Sequence, residues 1–187
     1  DGGWQAGLGS DVAGKTLGIV GLGRLGTAMA GYARAFGMTV IAWSQNLTAE
    51  RAAEHGVTRV EKRELFAAAD FISIHIKASE RSRGLVGAAE IAAMKPTAYL
   101  INTSRASIVD MAALVEACRK GTIGGAALDV YEHEPLAAGD PLRTTPRLLL
   151  TPHIGYVTRD TYTVHYSETV SAVEAWLAGK PVRGLNA

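Results

Sequence analysis

Thr16-Leu17-Gly18-Ile19-Val20-Gly21-Leu22-Gly23-Arg24-Leu25-Gly26 is an apolar run that breaks into glycines spaced as GxGxxG. Beyond Gly26, apolar residues return every three or four positions through Phe36, the period of a helix with one buried face. The stretch therefore reads as strand, tight turn and helix start. At such a junction the first glycine permits the turn, the second lets backbone approach a diphosphate with no Cβ in the way, and the third lets the helix lie close to the strand. The first N–H groups of the helix, at Arg24 and Leu25, are left to face phosphate oxygens. GxGxxG alone is a weak signal. Its position between a strand and a helix gives it weight and points to a dinucleotide site that includes Gly21, Gly23 and Gly26.

The same alternation continues outward. Apolar runs predict strands over 16–20, 39–43, 57–60, 71–76, 98–102, 124–128 and 148–151. Helical spacing predicts helices over 24–36, 49–55, 62–69, 88–94, 111–120 and 159–178. Asp110 is placed to cap the start of the fifth helix and Gly121 to close it. The last helix carries Tyr162, Tyr166, Val170, Val173 and Leu177 on an apolar stripe and stops at Gly179, with Pro181 beyond. Strands that are apolar almost throughout are covered on both faces, so the sheet is expected to be mostly parallel. Right-handed crossovers then give an α/β, doubly wound, Rossmann-type sheet of about seven strands in three α/β/α layers. Residues 1–14, rich in glycine, read as a connecting arm, 15–158 as a dinucleotide-binding domain, and 159–187 as a C-terminal helix and tail.

Composition narrows the function classes. With 187 residues, 48% hydrophobic and 20% charged, the chain can bury one good core. Nineteen basic residues against eighteen acidic ones leave a net charge of +1 with no basic segment, which argues against nucleic acid. No apolar run approaches the roughly 20 residues that span a bilayer, so no membrane partner is expected. The single cysteine, Cys118, excludes an intrachain disulfide and reads as a buried, inert thiol in mid-helix; a cytoplasmic location is the default. No spacing suggests a metal site. His55 and His165 read as helix residues and His133 as a loop residue, while His75, ending a strand, is placed to approach an adenine edge.

Where an acid about 20 residues past the glycines would hold a ribose, this chain has Ser44. Ser44 and Asn46 can hydrogen-bond either ribose form, and Arg51 and Arg59 are the nearest cations in sequence that could meet a 2′-phosphate. NAD and NADP both stay open as cofactor.

The second half adds Met94-Lys95-Pro96, Ile101-Asn102-Thr103-Ser104-Arg105, Ala127-Leu128-Asp129-Val130, Glu134-Pro135-Leu136 and Thr151-Pro152-His153-Ile154-Gly155. With the glycine stretch, these motifs in this order resemble the nucleotide-binding domain of the D-isomer-specific 2-hydroxyacid dehydrogenases over almost the whole chain. The resemblance implies an NAD(P)-dependent oxidoreductase of D-2-hydroxy acids and their 2-keto partners, with Arg105, Glu134 and His153 as catalytic residues. In those roles Arg105 grips the substrate carboxylate in two parallel hydrogen bonds. His153 exchanges the hydroxyl proton, and Glu134 orients the imidazole and stabilises its charged form. The resemblance also places Thr103, Ser104, Asp129 and Gly155 beside the cofactor, together with Arg105 and His153.

Two positions depart from the pattern. Ala106 stands where a glycine is usual and Lys77 where a proline is common. Ala106 would be harmless with a negative φ, and Lys77 could lie at the adenosine end. Relatives of this kind insert the nucleotide domain into a substrate domain and commonly pair as homodimers through it. The chain is therefore expected to bind dinucleotide yet turn over little by itself. A non-catalytic, dinucleotide-sensing dimerisation module and a different reductase of the same fold are the alternatives; the intact Arg105, Glu134 and His153 set argues against the first.

Overall fold

In β1 (Thr16–Val20) and β2 (Thr39–Trp43), alternate side chains serve opposite faces of one sheet. Leu17, Ile19, Val40 and Ala42 pack with Ala30 and Ala33 of α1 (Arg24–Ala35) and Ala52 of α2 (Ala49–Ala53). On the other face, Val20 and Ile41 join Ile72 and Ile74 of β4 (Phe71–Ile74) and Leu100 of β5 (Tyr99–Asn102). These meet Leu65 and Phe66 of α3 (Lys62–Ala68), Ile91 of α4 (Ala88–Ala93) and Leu114 of α5 (Met111–Lys120). Each of these larger side chains contributes about 1.5–3 kcal/mol by leaving water. With β3 (Thr58–Arg59), β6 (Gly125–Leu128) and β7 (Leu148–Leu150), the strands form a seven-stranded sheet in the order β3-β2-β1-β4-β5-β6-β7. The computed structural model describes residues 8–182.

Every strand pair is parallel, so the sheet is more uniform than the mostly parallel one expected. The chain runs outward from β1 to β3, then returns to lay β4 on the other side of β1, which creates a topological switch point between β1 and β4. Register aligns the strand ends. Val20 stands opposite both Trp43 and Ile74, Ile74 opposite Asn102, Asn102 opposite Leu128, and Leu128 opposite Leu150. The next residues along these six strands are Ser44, Gly21, His75, Thr103, Asp129 and Thr151. They form the row with which the carboxyl edge of the sheet begins.

Boundaries differ from the sequence reading where the ladder ends. β3 keeps only Thr58 and Arg59, both exposed, because it is an edge strand paired to β2 alone; the flanking Val57 and Val60 pack into the two cores, and the Val60 N–H still reaches the Ala42 carbonyl at 3.0 Å. β4 stops at Ile74 instead of Ile76, although the His75 N–H still reaches the Val20 carbonyl at 2.8 Å. Three 3-10 turns, Glu80–Ser82, Ala106–Ile108 and Pro141–Thr144, were not expected from apolar spacing. Asp110 and Gly121 do bound α5: the Asp110 carboxylate accepts from the Ala113 N–H at 3.0 Å, and Gly121 is left-handed at φ 66°. Cys118 is fully buried, and burial pushes its thiol pKa up despite the attraction of Arg147.

Asp70 ties the start of the sheet together. Its carboxylate accepts from the Thr16 N–H and from Lys95 Nζ, each at 2.8 Å. Burial pushes this carboxyl up, but the hydrogen bonds from Lys95 and Thr16 and the charges of Lys95 and Lys15 outweigh it and hold it below the usual value. A depressed folded pKa contributes stability that is fully present above the unfolded value of about 3.9 and is lost as pH falls through the folded one. Asp70→Ala is expected to cost about 1–3 kcal/mol at pH 7. In urea melts the gap from the parent should narrow below about pH 4; a gap independent of pH would refute the electrostatic account.

The chain divides between Pro152 and His153 into two compact units. The first holds the whole sheet. The second holds α6 (Arg159–Leu177), started by Thr158, whose hydroxyl oxygen accepts from the Thr161 N–H at 3.1 Å. No residue of α6 is buried; Tyr162, Tyr166, Val170, Val173 and Leu177 are all exposed. Among the described residues no helix is long and apolar enough to cross a membrane, and no group of His, Cys, Asp and Glu could hold a metal ion.

Candidate functional site

The three fingerprint glycines differ in what a side chain would meet. Gly21 has φ 103°, and a Cβ there would lie 2.9 Å from the His75 carbonyl carbon and oxygen, so the β1 turn runs hard against the chain leaving β4. At Gly26 a Cβ would fall on the Gly21 carbonyl oxygen and lie 3.1 Å from Ile19 Cγ2. Gly23 meets nothing within 4 Å. No protein atom crowds that position, so it stays open to the approach of a ligand. Gly23 is also the N-cap of α1 and brings no capping side chain, so the first turn, with exposed Arg24 and Leu25, presents its N–H groups outward. These features fit a dinucleotide diphosphate.

Ser44 and His75 flank that turn. The Leu22 N–H donates to Ser44 Oγ at 3.0 Å, so Ser44 locks the glycine loop to the end of β2 while its own O–H stays a donor. His75 is half-buried, with Nε2 2.9 Å from Ser73 Oγ, and burial lowers its pKa, which favours the neutral ring. Of the two cations nearest in sequence, Arg59 is paired with Glu61 at 2.6 Å. Lys77 is exposed just beyond β4.

At the other end of the row, a residue not singled out in the sequence shapes the turn. Asn102 is fully buried; its Oδ1 accepts from the Ser104 N–H at 3.0 Å, and its Nδ2 donates to the Arg105 carbonyl at 2.9 Å. The Ser104 hydroxyl donates to the Ile76 carbonyl at 2.7 Å, which joins this turn to the chain leaving β4. Thr103 is exposed, as is Arg105, whose Nη1 donates to the Ser104 carbonyl at 2.7 Å. Ala106 opens a 3-10 turn, and among the described residues only Arg147 and His153 are non-glycines with positive φ, so its methyl group strains nothing.

Asp129 is buried, and its Oδ1 accepts from the Thr151 hydroxyl at 2.6 Å. Tyr131, also missed in the sequence, directs its phenol oxygen at the carbonyls of Leu128 and Thr151, 3.1 and 2.8 Å away. Its N–H donates to Glu134 Oε1 at 2.9 Å, which fixes the exposed loop carrying that acid. Burial and then the Asp129 charge push the Tyr131 phenol up, so it stays a protonated donor. A phenol three residues past the end of β6 is the signal that could have flagged Tyr131, and an amide on the last residue of β5 the one for Asn102.

In the second unit His153 has φ 56°, in the left-handed region that few residues other than glycine adopt and where strained functional residues cluster. Its ring meets Tyr156 edge-on, centroids 5.9 Å apart at 88°. Gly155 follows in the loop before α6 and is exposed.

Residues 1–155 match the family model for the NAD-binding domain of D-isomer-specific 2-hydroxyacid dehydrogenases. The chain is 42% identical over 176 residues to a D-3-phosphoglycerate dehydrogenase of Synechocystis, covering 94% of this chain and 32% of that protein. An oxidoreductase from Ralstonia solanacearum superposes with a TM-score of 0.91 at 37% identity, over 96% of this chain and 53% of the other. An acyclic imino acid reductase solved with NADPH and D-Arg gives 0.78 at 30% identity, over 94% and 55%. The chain thus spans from about a third to about half the length of the relatives it matches.

Proposed function

Because this chain belongs to the D-isomer-specific 2-hydroxyacid dehydrogenase family, as its NAD-binding domain, we propose that it is the nucleotide-binding part of an oxidoreductase that interconverts D-2-hydroxy acids and 2-keto acids with NAD or NADP. The row at the carboxyl edge carries the reading. Ser44, Gly21, His75, Thr103 and Asp129, each the first residue past an aligned strand end, stand at the switch point and beside it, where open α/β sheets bind ligands.

The bound cofactor supplies or accepts the hydride. The residues of the chain hold, orient and move the proton. Gly23 and the first turn of α1 receive the diphosphate, while Asp129, with Thr151 donating to it, offers its carboxylate to a carboxamide. Arg105, on a turn pinned by Asn102, grips the substrate carboxylate through its fork of donors. His153 gives a proton to the carbonyl oxygen in reduction or takes it from the hydroxyl in oxidation, and Glu134 is the acid that completes the proposed catalytic set. The proposal includes residues 1–14 as an arm, 15–158 as the dinucleotide domain and 159–187 as a return toward a substrate domain, with a homodimer and a cytoplasmic location.

The test is NADH or NADPH oxidation with glyoxylate, hydroxypyruvate and pyruvate by a protein in which residues 1–187 are completed with a substrate domain. Reduction of at least one is expected. Tight cofactor binding with no reduction of any 2-keto acid would replace the enzyme with a sensor.

A further inference from the structure

The cleft between the chain leaving β2 and the chain leaving β4 has a volume of about 430 Å³, and its lining includes Trp43, Ile76, Lys77, Ser79, Arg81 and Ser82. It adjoins the glycine turn, since the Gly21 N–H donates to the Trp43 carbonyl at 2.8 Å and a Cβ on Gly21 would touch Ile76. A dinucleotide whose diphosphate sits at α1 therefore has its adenosine half here. Two cations and no carboxylate line this space.

The neighbouring charges are already committed elsewhere. Lys62, 5.9 Å from the centroid of the Trp43 ring, pairs with Glu90 at 2.7 Å and donates to the Leu85 carbonyl at 3.3 Å. Arg59 pairs with Glu61, and Glu80 faces Arg83 at 3.7 Å. Among the described residues Lys77 and Arg81 enter no ion pair, and both are exposed. Their spacing is set by the Glu80–Ser82 turn: the Ser82 hydroxyl, itself buried, lies 3.0 Å from the Lys77 carbonyl and 3.1 Å from the Ser79 carbonyl, and accepts from the Ser79 N–H at 2.8 Å. That buried hydroxyl holds the two cation-bearing residues on one short loop.

At the end of β2, the position from which a carboxylate would accept from a free 2′-hydroxyl and repel a phosphate holds Ser44. We propose that Lys77 and Arg81 form a 2′-phosphate clamp, so that this chain prefers NADP(H) to NAD(H). The inference rests on the dinucleotide reading above. A phosphate dianion gains two charge-assisted partners that a hydroxyl cannot use, and loses nothing to a neighbouring acid.

Calorimetric titration of the 187-residue chain with NADPH, NADH, 2′,5′-ADP and 5′-AMP at matched low salt reads the clamp directly. NADPH should bind about tenfold or more tighter than NADH, and 2′,5′-ADP should beat 5′-AMP by a similar factor. In Lys77→Ala/Arg81→Ala, NADPH should fall to the NADH level while NADH is unchanged; both side chains are exposed, so the fold is kept. Ser44→Asp keeps an acceptor for the Leu22 N–H and should reverse the preference. Equal or tighter NADH binding, or a ratio unmoved by the double substitution, overturns the clamp and leaves the dinucleotide reading standing. Failure of both dinucleotides to bind overturns both.

Discussion

Gly26→Val is expected to abolish dinucleotide binding and to destabilise the chain by about 3 kcal/mol or more. The added Cβ falls on the Gly21 carbonyl oxygen, which is backbone and cannot swing aside. Gly21 is itself held, with its N–H on the Trp43 carbonyl and no room for so much as a Cβ before the His75 carbonyl, so relief must come from lifting α1 off β1. That motion opens the core formed by Ile19, Ala30 and Ala33 and tilts away the N–H groups meant for the diphosphate. Gly23→Ala is the informative contrast. Its methyl group meets no protein atom within 4 Å, so stability should drop by only about 1 kcal/mol, the cost of a poorer N-cap. Affinity should nonetheless fall about tenfold or more, because the methyl group occupies ligand space. Urea unfolding and calorimetry on the two variants separate the roles; equal stability losses would show that Gly23 is needed for packing after all.

If the proposed function holds, Arg105→Ala in a protein completed with a substrate domain is expected to lower kcat/KM for a 2-keto acid by about 10²–10⁴, since two charge-assisted hydrogen bonds of about 1.5–3 kcal/mol each are lost. Arg105→Lys restores the charge without the planar fork and should recover only part of that factor. Arg105 is exposed, and its place is fixed through its backbone by the Asn102 amide, so neither change disturbs the core. The signature is a substrate-side defect that exceeds any loss of cofactor affinity. A variant that kept full turnover would remove Arg105 from the site and raise the case for a different reductase on this fold.

Much of the architecture is legible in the chain because parallel strands covered on both faces are apolar almost throughout, and because the glycine turn announces the first crossover. The edge strand is the exception. Thr58 and Arg59 are polar and pair on one side only, while the valines around them are apolar for the sake of the cores, so the run looked longer than its ladder. The 3-10 turns escaped because single side chains set them: Ser82 reaching back to Lys77, and Asp140 accepting from the Leu142 N–H ahead of Pro141. Arg59 is closer by spacing to the end of β2 but is spent on Glu61, whereas Arg81 comes to the cleft only through the turn that Ser82 sets. Asn102 was read only as part of a motif. Its work is done through two backbone groups, on Ser104 and Arg105, that no residue pattern displays.

The alignment of strand ends has a consequence for how such a chain can change over generations. Because Trp43, Val20, Ile74, Asn102, Leu128 and Leu150 stand abreast, one residue inserted within a strand would push its functional neighbour about 3.3 Å outward and turn it to the opposite face. The same insertion at the amino ends, for example near Gly37 before β2 or Thr122 before β6, leaves the row untouched and alters only a surface turn. Length variation should therefore collect along one margin of the sheet, while the opposite margin keeps count residue by residue.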